Sequence, residues 1–305
     1  MTDAHLTDRI AALADAEGLE IGFVATTLDG DRRIALNADA VFPTASVFKV
    51  PVMLEVLRRI EAGDLAMDQR LALNTPDKTL TSGVLLTLDD GLALTLRDLM
   101  TLMIIISDNT ATTMLLNLVG REAVNALLTA EGCPGSTVTL DVHEMFLHTW
   151  HLPLDRPVGL DELRAAARTK AMDYDTLTFA RTRDNTVSTA ADMARMMARI
   201  ATGTCVSPWV SDQARAILFR TQTTDRIPRY LPFGAVGNKT GSFRGLRNDC
   251  GILTRADGGE VAYALFSFDP TPLPIDAPRL YAERNTAVAR MMGEVGEILH
   301  RDFAP

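Results

Sequence analysis

Pro43-Thr44-Ala45-Ser46-Val47-Phe48-Lys49-Val50-Pro51 is the stretch on which the reading of this chain turns. Proline lacks an N–H and its ring crowds the turn before it, so Pro51 cannot sit deep in a helix. A helix that contains it must start a few residues upstream, at about Ser46. Val50, Met53, Leu54, Leu57 and Ile60 then repeat at helical spacing as a core-facing stripe, and Gly63 ends the helix. This puts Ser46 at a helix N-terminus with Lys49 one turn on, on the same face. A serine hydroxyl becomes a nucleophile when a neighbour takes its proton. A lysine in a desolvated, positively charged site can shed its own charge and act as that base. Free N–H groups at the helix start can stabilise an oxyanion. A chain of this length holds roughly one Ser-x-x-Lys by chance, so the pair alone is equally well an N-capping serine beside a solvated lysine.

Upstream of this stretch, residues 6–17 read as a surface helix ending at Gly18. Glu20 to Leu28 and Arg32 to Leu36 read as strands joined by the turn Asp29-Gly30-Asp31. Downstream, residues 44 to about 222 are mostly helical. Thr95-Leu96-Arg97-Asp98 is a capping signature for a helix to Ile106. Further helices cover Thr110 to Val119 and 121–131, each stopped by glycine. Ser188 or Thr189 caps another, through Ile200. After about 222 the period changes: Gly234 to Phe243, Leu246 to Thr254 and Glu260 to Phe268 alternate as antiparallel strands, and 281–301 is a final amphipathic helix. The simplest assembly is α/β of the α+β type. Residues 1–43 and 223–305 form one discontinuous domain, a five-stranded antiparallel sheet flanked by terminal helices. Residues 44–222 form an inserted all-α domain. The segment 149–182 fits least well; a long irregular excursion of this kind is usually functional.

Composition bounds the function. The chain has 305 residues, 47% hydrophobic and 23% charged, the mix of a globular protein with ample core. Its formal net charge of -9 argues against a nucleic-acid or anionic-membrane partner. No apolar run approaches the ~18 residues of a membrane span. Cys133, Cys205 and Cys250 are too scattered for a disulfide framework or a metal site, and read as buried free thiols. The start Met1-Thr2-Asp3-Ala4-His5 has no basic-then-apolar leader. The expected location is cytoplasmic as written, or periplasmic or secreted if a leader has been trimmed. No cofactor and no metal are expected, and the expected state is a monomer acting on a small-molecule substrate.

Two further tripeptides join the serine–lysine pair. Ser107-Asp108-Asn109 lies between two helices, where it would open onto a cleft or simply cap the second helix. Ser211-Asp212-Gln213 reads as another such cap. Lys239-Thr240-Gly241-Ser242 lies on the first C-terminal strand, where Gly241 would let another group approach the backbone. Each tripeptide arises by chance in roughly one chain in ten or twenty. All three in this order are a far smaller coincidence.

On these motifs the chain resembles the penicillin-recognising active-site serine hydrolases, in particular the class A β-lactamases. The resemblance extends to Thr223-Thr224, Arg183-Asp184-Asn185-Thr186, Gly245 and Asn248-Asp249. It implies an acylated nucleophile at Ser46, a proton acceptor at Lys49, a proton relay at Ser107 and an ordering role for Asn109. It further implies a carboxylate grip by Lys239 and Thr240, and an oxyanion hole from the amides of Ser46 and Ser242 beside Gly241. The segment Leu140-Asp141-Val142-His143-Glu144-Met145-Phe146-Leu147-His148 resembles the family's Glu-x-x-Leu-Asn, with His148 in place of asparagine. Glu144 is thus the expected base for hydrolysis of the acyl-enzyme, and Glu144→Gln would trap that intermediate. The stretch from His148 to Arg183 is longer than in usual class A enzymes. His143 and His148 are five apart, not the four of a zinc-protease motif. The implied function is a serine hydrolase that opens a β-lactam through acyl-Ser46. The alternatives are a non-lactam amidase or esterase, a D,D-peptidase-like enzyme, or a penicillin-binding sensor without turnover.

Overall fold

Both chain ends build one sheet. In the computed structural model, which describes residues 2–171, 173–269, 271 and 277–303, helix α1 (Asp3–Ala16) leads into the hairpin β1 (Glu20–Thr27) and β2 (Arg33–Leu36). A short strand β3 (Val41–Pro43) then enters the helical block. That block contains α2 (Lys49–Glu61), β4 (Arg70–Ala72), β5 (Ala93–Thr95), α3 (Leu96–Ile105), α4 (Asn109–Val119), α5 (Arg121–Ala130), α6 (Val142–Thr149), α7 (Leu160–Thr169), β6 (Val187–Thr189), α8 (Ala190–Ala201) and α9 (Pro208–Leu218). The chain returns as β7 (Val236–Phe243), β8 (Leu246–Thr254), β9 (Glu260–Phe268) and α10 (Pro278–Glu297). Strand order is β2-β1-β9-β8-β7, antiparallel throughout.

The sheet is buried on both faces, which is why its central strand β9 is almost wholly apolar. In β9, Val261, Tyr263 and Leu265 pack with Leu6, Ile10, Met292 and Val295 of the terminal helices. Their alternates Ala262, Ala264 and Phe266 join the second core, which reaches through α8 to Met53, Leu57 and Leu115 of the helical block. Burying one leucine-sized side chain contributes about 2 kcal/mol, so these cores fix how the strands sit against the helices.

Local signals set most boundaries. Thr95 and Asp98 form the expected capping box, and Thr189 caps α8. The block expected to be all helical, 44–222, carries the small ladder β4–β5, and its β6 pairs with β3 just upstream of it. They are three-residue extended leads whose pairing partners are distant in sequence. Ser211 is no cap. It lies inside α9, capped instead by Ser207, and its hydroxyl donates to Cys205 O at 2.9 Å. All three cysteines are buried and free. No helix of the described residues is long and apolar enough to cross a membrane.

The 149–182 excursion is held by aromatic contacts. Phe146 stacks on Trp150 at 5.1 Å and meets Phe243 at 5.7 Å. Phe179 meets Phe243 at 5.6 Å from the other side. These rings pin α6 and the end of the excursion to the tip of β7.

Candidate active site

The helix expected at Ser46 begins slightly later. Ala45–Phe48 form a 3-10 turn, and α2 proper starts at Lys49. Pro51 therefore sits in the first turn, where its missing N–H costs nothing. Ala45 is held at φ +45°, a left-handed conformation that costs a non-glycine residue about 1–2 kcal/mol. Neighbouring contacts hold it there. Asn248 Nδ2 donates to Pro43 O and to Thr44 O, both at 3.0 Å. A Cβ at Gly241 would come within 2.4 Å of Thr44 O and 3.2 Å of Ser46 N, so only glycine lets β7 pass.

Residues of all three motifs meet through hydrogen bonds beside this turn. Lys49 Nζ donates to Ser107 O at 2.7 Å, Ser107 Oγ at 3.1 Å and Asn109 Oδ1 at 2.7 Å. Lys239 Nζ donates to the same Ser107 Oγ at 3.0 Å. One hydroxyl thus bridges two buried amines. Ser107 is at φ +58°, directly after α3, which lets the chain turn back into α4. Asp108 fixes that junction: its carboxylate caps Ala111 N at 2.9 Å and accepts from Val84 N at 2.7 Å. Asn109 Nδ2 donates to Leu80 O at 2.6 Å and Thr81 Oγ1 at 2.8 Å.

Both lysines are pushed toward the neutral form. Burial lowers Lys49 well below the usual lysine range, and the Lys239 charge adds to this. Burial, then the Arg226 charge, brings Lys239 down to about 7. Neutral Lys49 is a base; charged Lys239 is an acid and an anion binder. The second-order constant for acylation by an anionic substrate is therefore expected to be bell-shaped in pH. The rising limb follows loss of the Lys49 proton, and the falling limb lies near pH 7 as Lys239 loses its charge. The limbs belong to the coupled group rather than to single residues. Stopped-flow acylation across pH 5–9 reads this, and a rate still climbing at pH 9 would contradict it.

Ser46, Asn109 and Ser242 line one crevice of about 360 Å³. Lys239, Thr240 and Gly241 are nearly buried behind it, whereas Ser242 is exposed. Thr240 pairs in register with Asp249. One residue that sequence reasoning missed organises this strand. Buried Arg226 donates to Gly241 O at 2.7 Å, to Asn248 O at 2.5 Å and to Ser242 Oγ. It lies two residues beyond Thr223-Thr224, and an isolated arginine in a polar loop carries no signal of its burial.

Glu144 is not brought to the crevice. Residues at helical spacing on α6, namely Val142, Met145 and Phe146, line it together with Trp150 and Ala167. Glu144 faces elsewhere. Its Oε2 accepts from Asp141 N at 2.9 Å, closing a capping box, and pairs with Arg121 of α5 at 2.7 Å. The residue expected to hold a hydrolytic water thus has its carboxylate engaged by the cap and the guanidinium, away from the crevice lining. Among the described residues, no Asp or Glu lines the crevice, and no group of three His, Cys, Asp or Glu could hold a metal.

The sequence and the fold match known proteins along nearly the whole chain. Residues 5–303 match the model of the beta-lactamase enzyme family. The chain is 28% identical over 303 residues to Beta-lactamase L2 of Stenotrophomonas maltophilia, covering 98% of this chain and 88% of that protein. The crystal structure of a beta-lactamase from Sphaerobacter thermophilus DSM 20745 superposes with a TM-score of 0.76 at 29% identity, covering 100% of both chains. An ancestral (GNCA) class A beta-lactamase gives a TM-score of 0.73 at 23% identity over 96% of this chain and 98% of that one. With the family model spanning nearly every residue and the fold shared throughout, this chain belongs to the beta-lactamase enzyme family and has the fold of its class A members.

Proposed function

We propose that the protein opens β-lactams by acyl transfer to Ser46, with Lys49 as the base in both halves of the reaction. The observation that carries this reading is the buried Lys49–Ser107–Lys239 chain beside the Ser46 turn. Neutral Lys49 takes the Ser46 proton as Oγ attacks the lactam carbonyl. Ser107 passes a proton to the departing nitrogen, and Lys239 keeps that hydroxyl polarised. The amides of Ser46 and Ser242 receive the developing oxyanion. Lys239 and Thr240 draw in the substrate carboxylate.

The second half lacks the carboxylate that the resemblance implied. The ion pair of Glu144 with Arg121, together with the apolar wall of α6, supports hydrolysis through Lys49 instead. A hydrophobic wall holds a water poorly, so deacylation is slower than acylation and acyl-Ser46 accumulates. A rapid burst with a chromogenic cephalosporin, an adduct in intact-mass spectra and a slower steady state are the expected results. Absence of any adduct with several β-lactams would favour the amidase or esterase alternative.

Glu144→Gln is then expected to change deacylation less than about threefold, because general-base losses of 10²–10⁴ apply only to a group within hydrogen-bond reach of the proton it takes, and the Glu144 carboxylate is held by Asp141 N and Arg121. The cost falls on stability, about 1 kcal/mol from the weakened cap and half-exposed ion pair. Time-resolved mass spectra read the rate. A hundredfold longer-lived adduct would return Glu144 to the mechanism.

A further inference from the structure

A second cavity opens at the edge of the sheet, apart from the crevice. Strand β2 stops with Leu36 opposite Phe23, so among the described residues no strand lies beside Glu20 to Gly22 on that side. Asn37 covers part of the gap: it sits at φ +46°, and its Nδ2 donates to Ile21 O at 2.9 Å. The space that remains is about 360 Å³, as large as the crevice at Ser46. Ile21, Leu36 and Phe42 give it an apolar lining, and α1 adds Ala11 and Asp15, four residues apart on one helix face.

The charges around this space are unbalanced. Glu20 pairs with Arg181, whose guanidinium stacks on the Phe42 ring 4.7 Å from its centre. The Asp15 carboxylate makes no hydrogen bond or ion pair with any described residue. Two carboxylates against one guanidinium leave a net negative charge over apolar walls. An anion would be repelled, and a neutral molecule would leave Asp15 unused. The ligand that satisfies both features is an organic cation with an apolar body.

The cavity is joined to the catalytic turn through β3. A Cβ at Gly22 would lie 2.7 Å from Phe42 Cε2, so Phe42 packs directly on the backbone of β1. The next two carbonyls, of Pro43 and Thr44, are the ones that Asn248 holds at 3.0 Å. Ala45, in its left-handed conformation, then leads into Ser46. A ligand seated against Phe42 binds this arrangement of β3 and thereby favours it.

We propose that this cavity is an effector site for a small organic cation with an apolar body, and that its occupation favours the turn presenting Ser46. The binding stands apart from the acyl-transfer reading; the effect on acylation rests on it.

The probe is phenethyltrimethylammonium, which has no N–H and cannot itself open a lactam. In calorimetry at low salt it is expected to bind about fivefold tighter than 2-phenylethanol, the size of one exposed ion pair. High salt should shrink that difference. Asp15→Asn should remove it. Ala11→Leu, which adds bulk to the lining at a helix position suited to leucine, should abolish binding of the cation. Saturating cation should raise the second-order constant for acylation by benzylpenicillin about fivefold, the low end of coupling between two sites, and should not do so in Ala11→Leu. If benzylpenicillin never labels Ser46, the acyl-transfer reading falls while calorimetry still decides on the cavity. Equal binding of cation and alcohol, binding that Asp15→Asn and Ala11→Leu leave intact, or an acylation constant unmoved by saturating cation would overturn the proposal.

Discussion

Ser46→Ala is expected to lose acylation altogether: no adduct by intact mass, and a fall of at least about 10⁴ in the second-order constant. The magnitude follows from removing the only atom that can bond covalently to the substrate carbonyl. Removing a nucleophile that acts as part of a coupled unit costs about 10⁶ in well-studied serine hydrolases, and the residual rate comes from binding and the oxyanion hole. Folding should survive. Ser46 is half-buried on a turn fixed through backbone atoms, by Asn248 on Pro43 O and Thr44 O. Losing one oxygen there opens no core cavity. The mutant should therefore melt close to the parent and still bind the intact β-lactam. Wild-type labelling or turnover in this variant would end the acyl-serine reading.

The second large effect belongs to Lys49→Met. Methionine keeps the length of the side chain and removes the amine. Acylation is expected to drop by about 10³–10⁴, the upper range for losing a positioned general base. Stability should move little, for two opposing reasons. Removing the amine leaves Asn109 Oδ1 and Ser107 O without a donor, which costs about 1–3 kcal/mol for buried acceptors. It also removes a polar group from a wholly buried place beside Lys239, which offsets much of that cost. Thermal melting checks the balance, and stopped-flow labelling checks the chemistry. A variant that melts normally and acylates within tenfold of the parent would assign the base elsewhere. The falling limb of the pH profile should stay in place, because burial and the Arg226 charge are what lower the Lys239 pKa.

The pH dependence of stability follows from the same lysines. Lys239 sits at about 7 in the folded protein against 10.5 for an unperturbed lysine. Between those values the unfolded chain binds more protons, so stability should rise with pH across that window.

The legible parts of this chain are those encoded over short distances. Thr95 and Asp98 are three residues apart, and their capping box forms as read. The expected antiparallel pairing of β8 and β9 forms, because a short turn between two strands folds the second back along the first. The spacing of Ser46 and Lys49 is one helical turn, and the 3-10 turn before α2 shifts it only slightly. Even the closeness of Gly241 to another backbone was readable, since glycine inside a strand has few other uses.

What the sequence by itself determined was the five-stranded sheet with its terminal helices, the family it belongs to and the residue types of the three motifs. The tertiary structure decided which of those residues act together. Glu144 stands on a helix whose crevice face is one step away, and only the arrival of Arg121 from α5 draws its carboxylate to the other side. Arg226, Ala45 and Ser107 reveal their burial or backbone strain only once distant strands and helices close over them. The charges of Lys49 and Lys239 are likewise set by burial and by cations brought from far along the chain, Lys239 for the first and Arg226 for the second. Short-range periodicity fixes where a backbone turns, whereas the direction of a side chain and the state of its proton depend on partners that the chain brings from far along its length.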